Sequence, residues 1–483
     1  MSRENRQLHI FFLPFMAHGH MIPFMDLAML FAAKGVKTTI ITTPLNAPHI
    51  SKVTERAKNL GFEINILITK FPSVEAGLPE GCESFDKASS PDMQFKFFIA
   101  TTMLKEPLAH LLQVHHPDCL VADMFFPWTT NVAAAFGIPR IVFHGTCVFS
   151  LSATEHIRLY EPHKKVSYDS EPFVLPNFPG EIKLTRSQLP DFVRQELGFT
   201  KFYNEGKETE SKCFGVIVNS FYELESTYAD HYTKALGRRA WHVGPISLCT
   251  RDTIDKTERG KIASIDENEC LTWLNSKKPN SVVYICFGSV ANFDSSQLLE
   301  IATGLEASGQ QFIWVVRKEN KNQDERDDWL PDGFEKRMEG KGLIIRGWAP
   351  QMLILDNEAI GGFVTHCGWN SILEAVCAGV PMVTWPVAAE QFYNEKLLTQ
   401  VLRIGIGVGA NKWARIVGDF VKREAIEKAV RDIIVGDKAE DMRNRAKALA
   451  DKARKAVEKG GSSDSDSNAL IEELSSRAMK IHK

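Results

Sequence analysis

Short apolar runs alternating with helical stretches limit what this chain can fold into more than any other feature. Residues 8–14 (LHIFFLP) form an apolar run closed by proline, residues 21–33 carry apolar side chains at helical spacing before Gly35, and residues 36–42 (VKTTIIT) are β-branched. Strand, loop, helix, strand is a βαβ opening, and such a unit makes its sheet parallel. The pattern returns with strand 119–122, helix 129–136, strand 140–143, strand 213–219 and helix 223–236. Between them, residues 160–206 are proline-rich and irregular and read as a long functional loop.

A second series follows, with strands at 281–287, 311–316, 343–346, 362–365 and 381–384 and helices at 297–308, 371–378 and 391–402. The charged stretch 249–265 (CTRDTIDKTERGKIASI) has no apolar period and separates the two series as an interdomain linker. A length of 483 residues also exceeds what one core organises. The expected architecture is α/β with two doubly wound, Rossmann-like domains, residues 1–248 and 266–460, facing across a cleft at the carboxyl ends of their sheets. Residues 425–457 read as one or two surface helices. GGSSDSDSN (460–468) reads as a flexible turn, and the helix 469–480 within the last segment, 461–483, is expected to pack back on the first domain.

Hydrophobic residues at 44% and charged residues at 24% describe a globular chain, and a formal net charge of -3 with scattered lysines and arginines gives no footprint for nucleic acid. The nine cysteines are never spaced CxxC and sit mostly in apolar runs, as reduced core residues of a cytoplasmic protein do. MSRENRQ and the short run after it lack the features of a signal peptide, and no apolar run is long enough for membrane insertion. No metal is expected: His115-His116 lacks ligand partners at the right spacing, and Asp464-Ser-Asp466 follows no strand.

Candidate chemistry is concentrated in residues 348–391, WAPQMLILDNEAIGGFVTHCGWNSILEAVCAGVPMVTWPVAAEQ. Trp348, past a strand, offers either a core indole or a flat face for a planar base. His366 ends a strand and Gly368, Asn370 and Ser371 open a helix, which makes either a plain capped turn or a diphosphate site. Glu374, one turn on, suits ribose hydroxyls, and Glu390 with Gln391 suits sugar hydroxyls.

Taken together this box resembles, without a gap, the signature box of the plant family 1 UDP-dependent glycosyltransferases, and the chain's length and domain order fit that family. The resemblance implies the GT-B fold, with the donor held mostly by the second domain. It places Trp348 against uracil with Ala349 and Gln351 nearby, Glu374 on the ribose, and His366, Asn370 and Ser371 on the phosphates. Trp369, Glu390 and Gln391 then meet the sugar, and a glutamine in the last position implies UDP-glucose. Ser289 in CFGS, where Gly288 permits close backbone approach, is expected to be a further phosphate contact.

FMAHGHMIP places His18 and His20 after the first strand, and DCLVADMFFPW places Asp123 at the end of a later one. The resemblance makes His20 the general base and Asp123 its partner, with His18 a neighbour in the loop. Such a dyad follows the logic of a serine-hydrolase triad, the carboxylate fixing the tautomer and stabilising the imidazolium. It implies a single inverting displacement that gives a β-glucoside without a metal. No cofactor is expected beyond UDP-glucose as co-substrate, and the partners are the small-molecule acceptor and the UDP-sugar, acting on a monomer.

Phe15, Phe125, Phe126, Phe149, Phe192 and Phe202 are the candidate acceptor contacts, with core packing as their competing role. AHGHMIP, FHGTC, SEPFVLP and AEQFYNEK look like the subgroup acting on flavonoids, coumarins, betanidin and, in some members, triterpenoids. A phenolic acceptor is therefore expected, with a triterpenoid as the alternative. A nucleotide-binding oxidoreductase, prompted by the glycine run 405–409, lacks the GxGxxG spacing. A catalytically silent binding protein would not need both His20 and Asp123.

Overall fold

The computed structural model describes residues 7–249, 263–288, 293–316, 329–415 and 418–481. The strands are, in chain order, β1 (His9–Leu13), β2 (Lys37–Thr42), β3 (Ile64–Ile68), β4 (Cys119–Asp123), β5 (Arg140–His144), β6 (Pro172–Val174), β7 (Lys183–Thr185) and β8 (Gly215–Val218). After these come β9 (Ala240–His242), β10 (Val282–Cys286), β11 (Gln311–Val316), β12 (Gly342–Arg346), β13 (Ile360–Thr365), β14 (Met382–Thr384) and β15 (Gly405–Gly407). Two compact units contain them: Met1–Cys147 with Leu197–Thr250 and Ala456–Lys483, and Val148–Glu196 with Arg251–Lys455.

The first unit is built on a parallel sheet in the order β3-β2-β1-β4-β5-β8-β9. The central strands β1 and β4 carry no polar face because both of their faces are covered. Ile10, Phe12, Cys119 and Val121 enter a core with Phe24, Leu27 and Phe31 of the His18–Ala33 helix. Phe11, Leu13, Leu120 and Ala122 enter a second core with Phe97, Leu108 and Leu112. Successive residues thus alternate between two cores, as the pleat requires, and the runs read as continuously apolar.

The second unit has the parallel order β12-β11-β10-β13-β14-β15 and the small antiparallel pair β6-β7. In each large sheet the order reverses once, between β1 and β4 and between β10 and β13. These reversals matter because diverging loops leave a crevice outside the carboxyl ends of the two central strands.

Three expectations change. The run 460–468 is not a flexible turn: the Ser462–Ile481 helix begins inside it. Its acidic residues suit the positive end of a helix and are tied down, Asp464 by Lys34 Nζ at 2.5 Å and Asp466 by the His242 N–H at 2.8 Å. Leu470 and Leu474 of that helix are buried in the first unit's core. Second, residues 148–196 cluster with the second unit. Ser150 Oγ donates to Asn394 Oδ1 at 2.7 Å, the Trp413 N–H to Ser187 C=O at 2.9 Å, and Arg415 forks onto Asp191 at 2.6 and 3.0 Å. Third, the stretch 160–206 contains ordered structure, including β6, β7 and much of the Gly198–Glu210 helix. Most of the linker expected at 249–265, and Ser289, lie outside the described residues.

Candidate active site

In the first unit, β1 delivers the chain into the His18–Ala33 helix and β4 ends on Asp123, its neighbour in the sheet. The order reverses here, so the helix start and the strand end meet. His20 Nδ1 lies 2.8 Å from Asp123 Oδ2, with the His20 side chain 26% exposed and that of Asp123 fully buried. Asp123 Oδ1 accepts the Phe125 N–H at 3.0 Å. A carboxylate only accepts, so the tautomer of His20 that bonds it is the one protonated on Nδ1, which has its lone pair on Nε2, as a general base needs.

His18, expected only as a neighbour, has a partner of its own. Its Nδ1 lies 2.5 Å from Asp86 Oδ2, and its backbone N–H donates to the same oxygen at 2.9 Å. Burial pushes the Asp86 carboxyl up, but the hydrogen bonds and charge of His18 outweigh it and hold the group below the usual carboxylate range. Asp86 thereby caps the helix that carries His20. Nothing near it in sequence signals this, because it sits in an irregular stretch far from either motif.

The aromatic expectation divides. Phe15 and Phe126 are buried core residues, and Phe15 meets the His20 ring edge-on at 5.4 Å and Phe125 at 4.8 Å. Phe125 and Phe202 are half-buried, and both pack on Phe98, which sequence reasoning passed over. Phe199 joins the same group against Phe98. The FKFF run of the Pro91–Thr102 helix was the available signal. Phe149 and Phe192 belong to the second unit, Phe149 buried against Phe178 and Phe192 edge-on to Trp413.

In the second unit the donor-box residues gather around the carboxyl ends of β10, β12, β13 and β14. Trp348, half-buried, follows β12, and its peptide is held on both sides: its N–H donates to Ser264 Oγ and its C=O accepts the Ser264 N–H. Ala349 is buried beside it. Gln351 Nε2 donates to Glu374 Oε2 at 2.7 Å and Ser371 Oγ at 3.1 Å, while Tyr284 Oη donates to its Oε1. Gln351, Ser371 and Glu374 therefore form one network, and the carboxylate of Glu374 is aimed by Gln351.

His366 follows β13, and its ring is wedged between two glycines. A Cβ on Gly288 would come within 2.5 Å of the ring and one on Gly368 within 2.4 Å, closer than any real contact. Gly368 also opens the Trp369–Ala378 helix without a side-chain cap, and a helix start of this kind points backbone N–H groups outward at Trp369, Asn370 and Ser371, as an anion site requires.

At the end of the box, Gln391 Oε1 accepts the N–H groups of Val387 and Ala388, both at 2.8 Å. That fixes the amide with its NH₂ as the outward donor. Asn394, also missed in the sequence, is fully buried and donates to Glu390 Oε1 and to Cys367 C=O. Cys367 and Ala389 are left-handed without being glycine, at φ 64° and 47°. Their carbonyls are each held, by Asn394 Nδ2 and Trp413 Nε1, so the surrounding structure sustains a strained backbone at two points within the box.

Residues 92–409 match the family model described as "UDP-glucoronosyl and UDP-glucosyl transferase". The chain is 58% identical over 478 residues to scopoletin glucosyltransferase of Nicotiana tabacum, covering 99% of this chain and 100% of that one. It is likewise 58% identical over 486 residues to UDP-glucose flavonoid 3-O-glucosyltransferase 7 of Fragaria ananassa, covering 99% and 98%. Among solved structures it is similar to Glycyrrhiza uralensis UGT73P12 complexed with glycyrrhetinic acid 3-O-monoglucuronide, at 41% identity, a TM-score of 0.91 and coverage of 99% and 97%. A second is Medicago truncatula UGT71G1 complexed with UDP-glucose, at 26% identity, a TM-score of 0.77 and coverage of 98% and 100%.

Proposed function

The chain belongs to the UDP-glucoronosyl and UDP-glucosyl transferase family, and from that premise we propose that it moves glucose from UDP-glucose to a hydroxyl of a small phenolic acceptor. The observation that carries the mechanism is the His20–Asp123 pair at the reversal of the first sheet. His20 Nε2 takes the acceptor proton as the oxygen attacks the anomeric carbon. The bond from that carbon to the phosphate oxygen breaks, its electrons leaving on UDP. Attack opposite the leaving group turns the α-linked donor into a β-glucoside. Asp123 holds the tautomer and stabilises the imidazolium, help worth ~10²–10⁴-fold in such reactions.

Trp348 stacks on uracil, Glu374 takes the ribose, and Ser289, His366, Asn370 and Ser371 meet the phosphates. Trp369, Glu390 and the outward amide of Gln391 hold glucose. The charge that grows on UDP is met by the helix end at Gly368, and the step needs no metal. Phe98, Phe125, Phe199 and Phe202 offer half-buried rings to a flat acceptor. The likeness to relatives named for scopoletin and flavonoid glucosylation supports a phenol. A triterpenoid is the second reading, favoured by the likeness to UGT73P12.

No helix of the described residues is long and apolar enough to cross a membrane. The described cysteines are free thiols, which fits a reducing cytoplasm, where we place a monomeric enzyme. Incubation with UDP-glucose and a panel of coumarins, flavonols and triterpenoids tests the proposal. Phenolic glucosides are expected. Products confined to triterpenoids would select the second reading, and no transfer to any acceptor would overturn both.

A further inference from the structure

Arg140 opens β5 and is 3% exposed. It lies opposite Leu120 in the sheet, while Asp123 lies opposite Phe143. Its side chain must therefore run along the strands to reach the end of β4, where Nη2 donates to Asp123 C=O at 3.1 Å and Nη1 to Thr130 Oγ1 at 2.8 Å. Both acceptors are neutral, Nε has no partner, and no carboxylate among the described residues makes an ion pair with the group. A buried guanidinium in such surroundings is costly unless negative charge nearby offsets it.

The offsetting groups are identifiable. Burial pulls Arg140 down to about 10, against the opposing pull of Cys213, Glu210 and Asp123. Burial raises the Cys213 thiol, which leaves it neutral. Glu210 is shared, bonded to His144 Nε2 at 2.9 Å and Tyr232 Oη at 3.2 Å, with Lys207 Nζ at 3.5 Å. Asp123, fully buried at the end of the strand that Arg140 holds, is the carboxylate with a reaction to serve.

We propose that Arg140 is a positioning residue for the transfer: its buried positive charge stabilises the form of the His20–Asp123 dyad that carries one net negative charge, in which His20 can accept a proton. Protonating the dyad cancels that charge, so a neighbouring cation opposes protonation and keeps the base available at lower pH. The hydrogen bond to the Asp123 carbonyl adds a mechanical part, fixing the strand end from which the carboxylate projects. This inference rests on the reading of the dyad as the catalytic pair.

The test is the pH profile of kcat/KM for glucosyl transfer by the full-length protein and its variants Arg140→Gln, Arg140→Met, Arg140→Lys and Thr130→Val. His18, paired with Asp86, and His366 are present in every variant; His144 is bonded to Glu210, whose charge also acts on Arg140, so His144→Asn is measured alongside to identify a limb that belongs to that pair. The two neutral substitutions are expected to move the acid limb upward by about one pH unit, with activity below the limb falling about tenfold more than on the plateau. Arg140→Lys keeps the charge and Thr130→Val changes only an acceptor, so both should leave the limb in place. Methionine fills a buried arginine's volume, which guards against the glutamine variant failing to fold. A uniform loss across pH in the neutral variants, or a limb shifted as far by lysine as by glutamine, would overturn the proposal. His20→Ala in the same assay separates the two readings. An active His20→Ala enzyme removes the dyad itself, whereas an inactive one beside an unmoved limb removes Arg140 alone.

Discussion

At the scale of single residues, the dyad and the histidine wedge carry the sharpest expectations. Asp123→Asn keeps the shape but offers an amide where Nδ1–H needs an acceptor, and kcat should fall about 10²–10⁴-fold with little change in KM, read by steady-state kinetics. Gly288→Ala or Gly368→Ala drives a methyl into His366, and both should raise KM for UDP-glucose well before they disturb thermal stability. His9 tests the electrostatics away from the site. Burial, aided by Lys37, lowers it to about 4. Between about pH 6.5, where the unfolded side chain takes up a proton, and about 4, the unfolded state binds more protons, so stability falls as pH falls. His9→Gln should flatten the change in urea midpoint across that window. The motif residues could be singled out because together they match a family's signature box, whereas each alone also fits an ordinary structural role. Asp86, Asn394 and Phe98 were not, since each acts through a contact distant in sequence.

At the scale of elements, the alternation of apolar runs and helices was enough to expect two parallel sheets, because strands covered on both faces have few other sequence patterns. β3, β9 and β15 escaped notice, being edge strands of only three to five residues. The serine-aspartate run misled more instructively. Without its tertiary partners it reads as a flexible turn, yet Lys34, His242 and Gly244 turn it into the start of a helix. Leu474→Ala in that helix should cost about 2–5 kcal/mol in a urea titration, as for other fully buried leucines, which would mark the segment as part of the first unit's core. Ala389→Gly should leave stability unchanged or raise it by up to about 1 kcal/mol, since glycine accepts the left-handed conformation without strain.

At the scale of the whole molecule, each sheet reversal makes one crevice, and the proposed chemistry divides accordingly. One unit supplies the base and the aromatic rings, the other the nucleotide and sugar contacts, so donor binding and proton removal should fail separately. UDP should raise the melting temperature of His20→Ala as much as that of the unaltered protein, because the donor box is intact. The division also explains why the donor was easier to read than the acceptor. The proposed donor contacts, Ser289 apart, sit in one continuous stretch, whereas the half-buried rings come from three separate segments whose meeting depends on the fold. The most direct measurement of the central claim is NMR of the product made from UDP-glucose and a coumarin or flavonol, by the unaltered protein and by His20→Ala. A glucoside with the large anomeric coupling of a β-linkage is expected from the former and essentially none from the latter. An α-linked product, or undiminished turnover without His20, would contradict it.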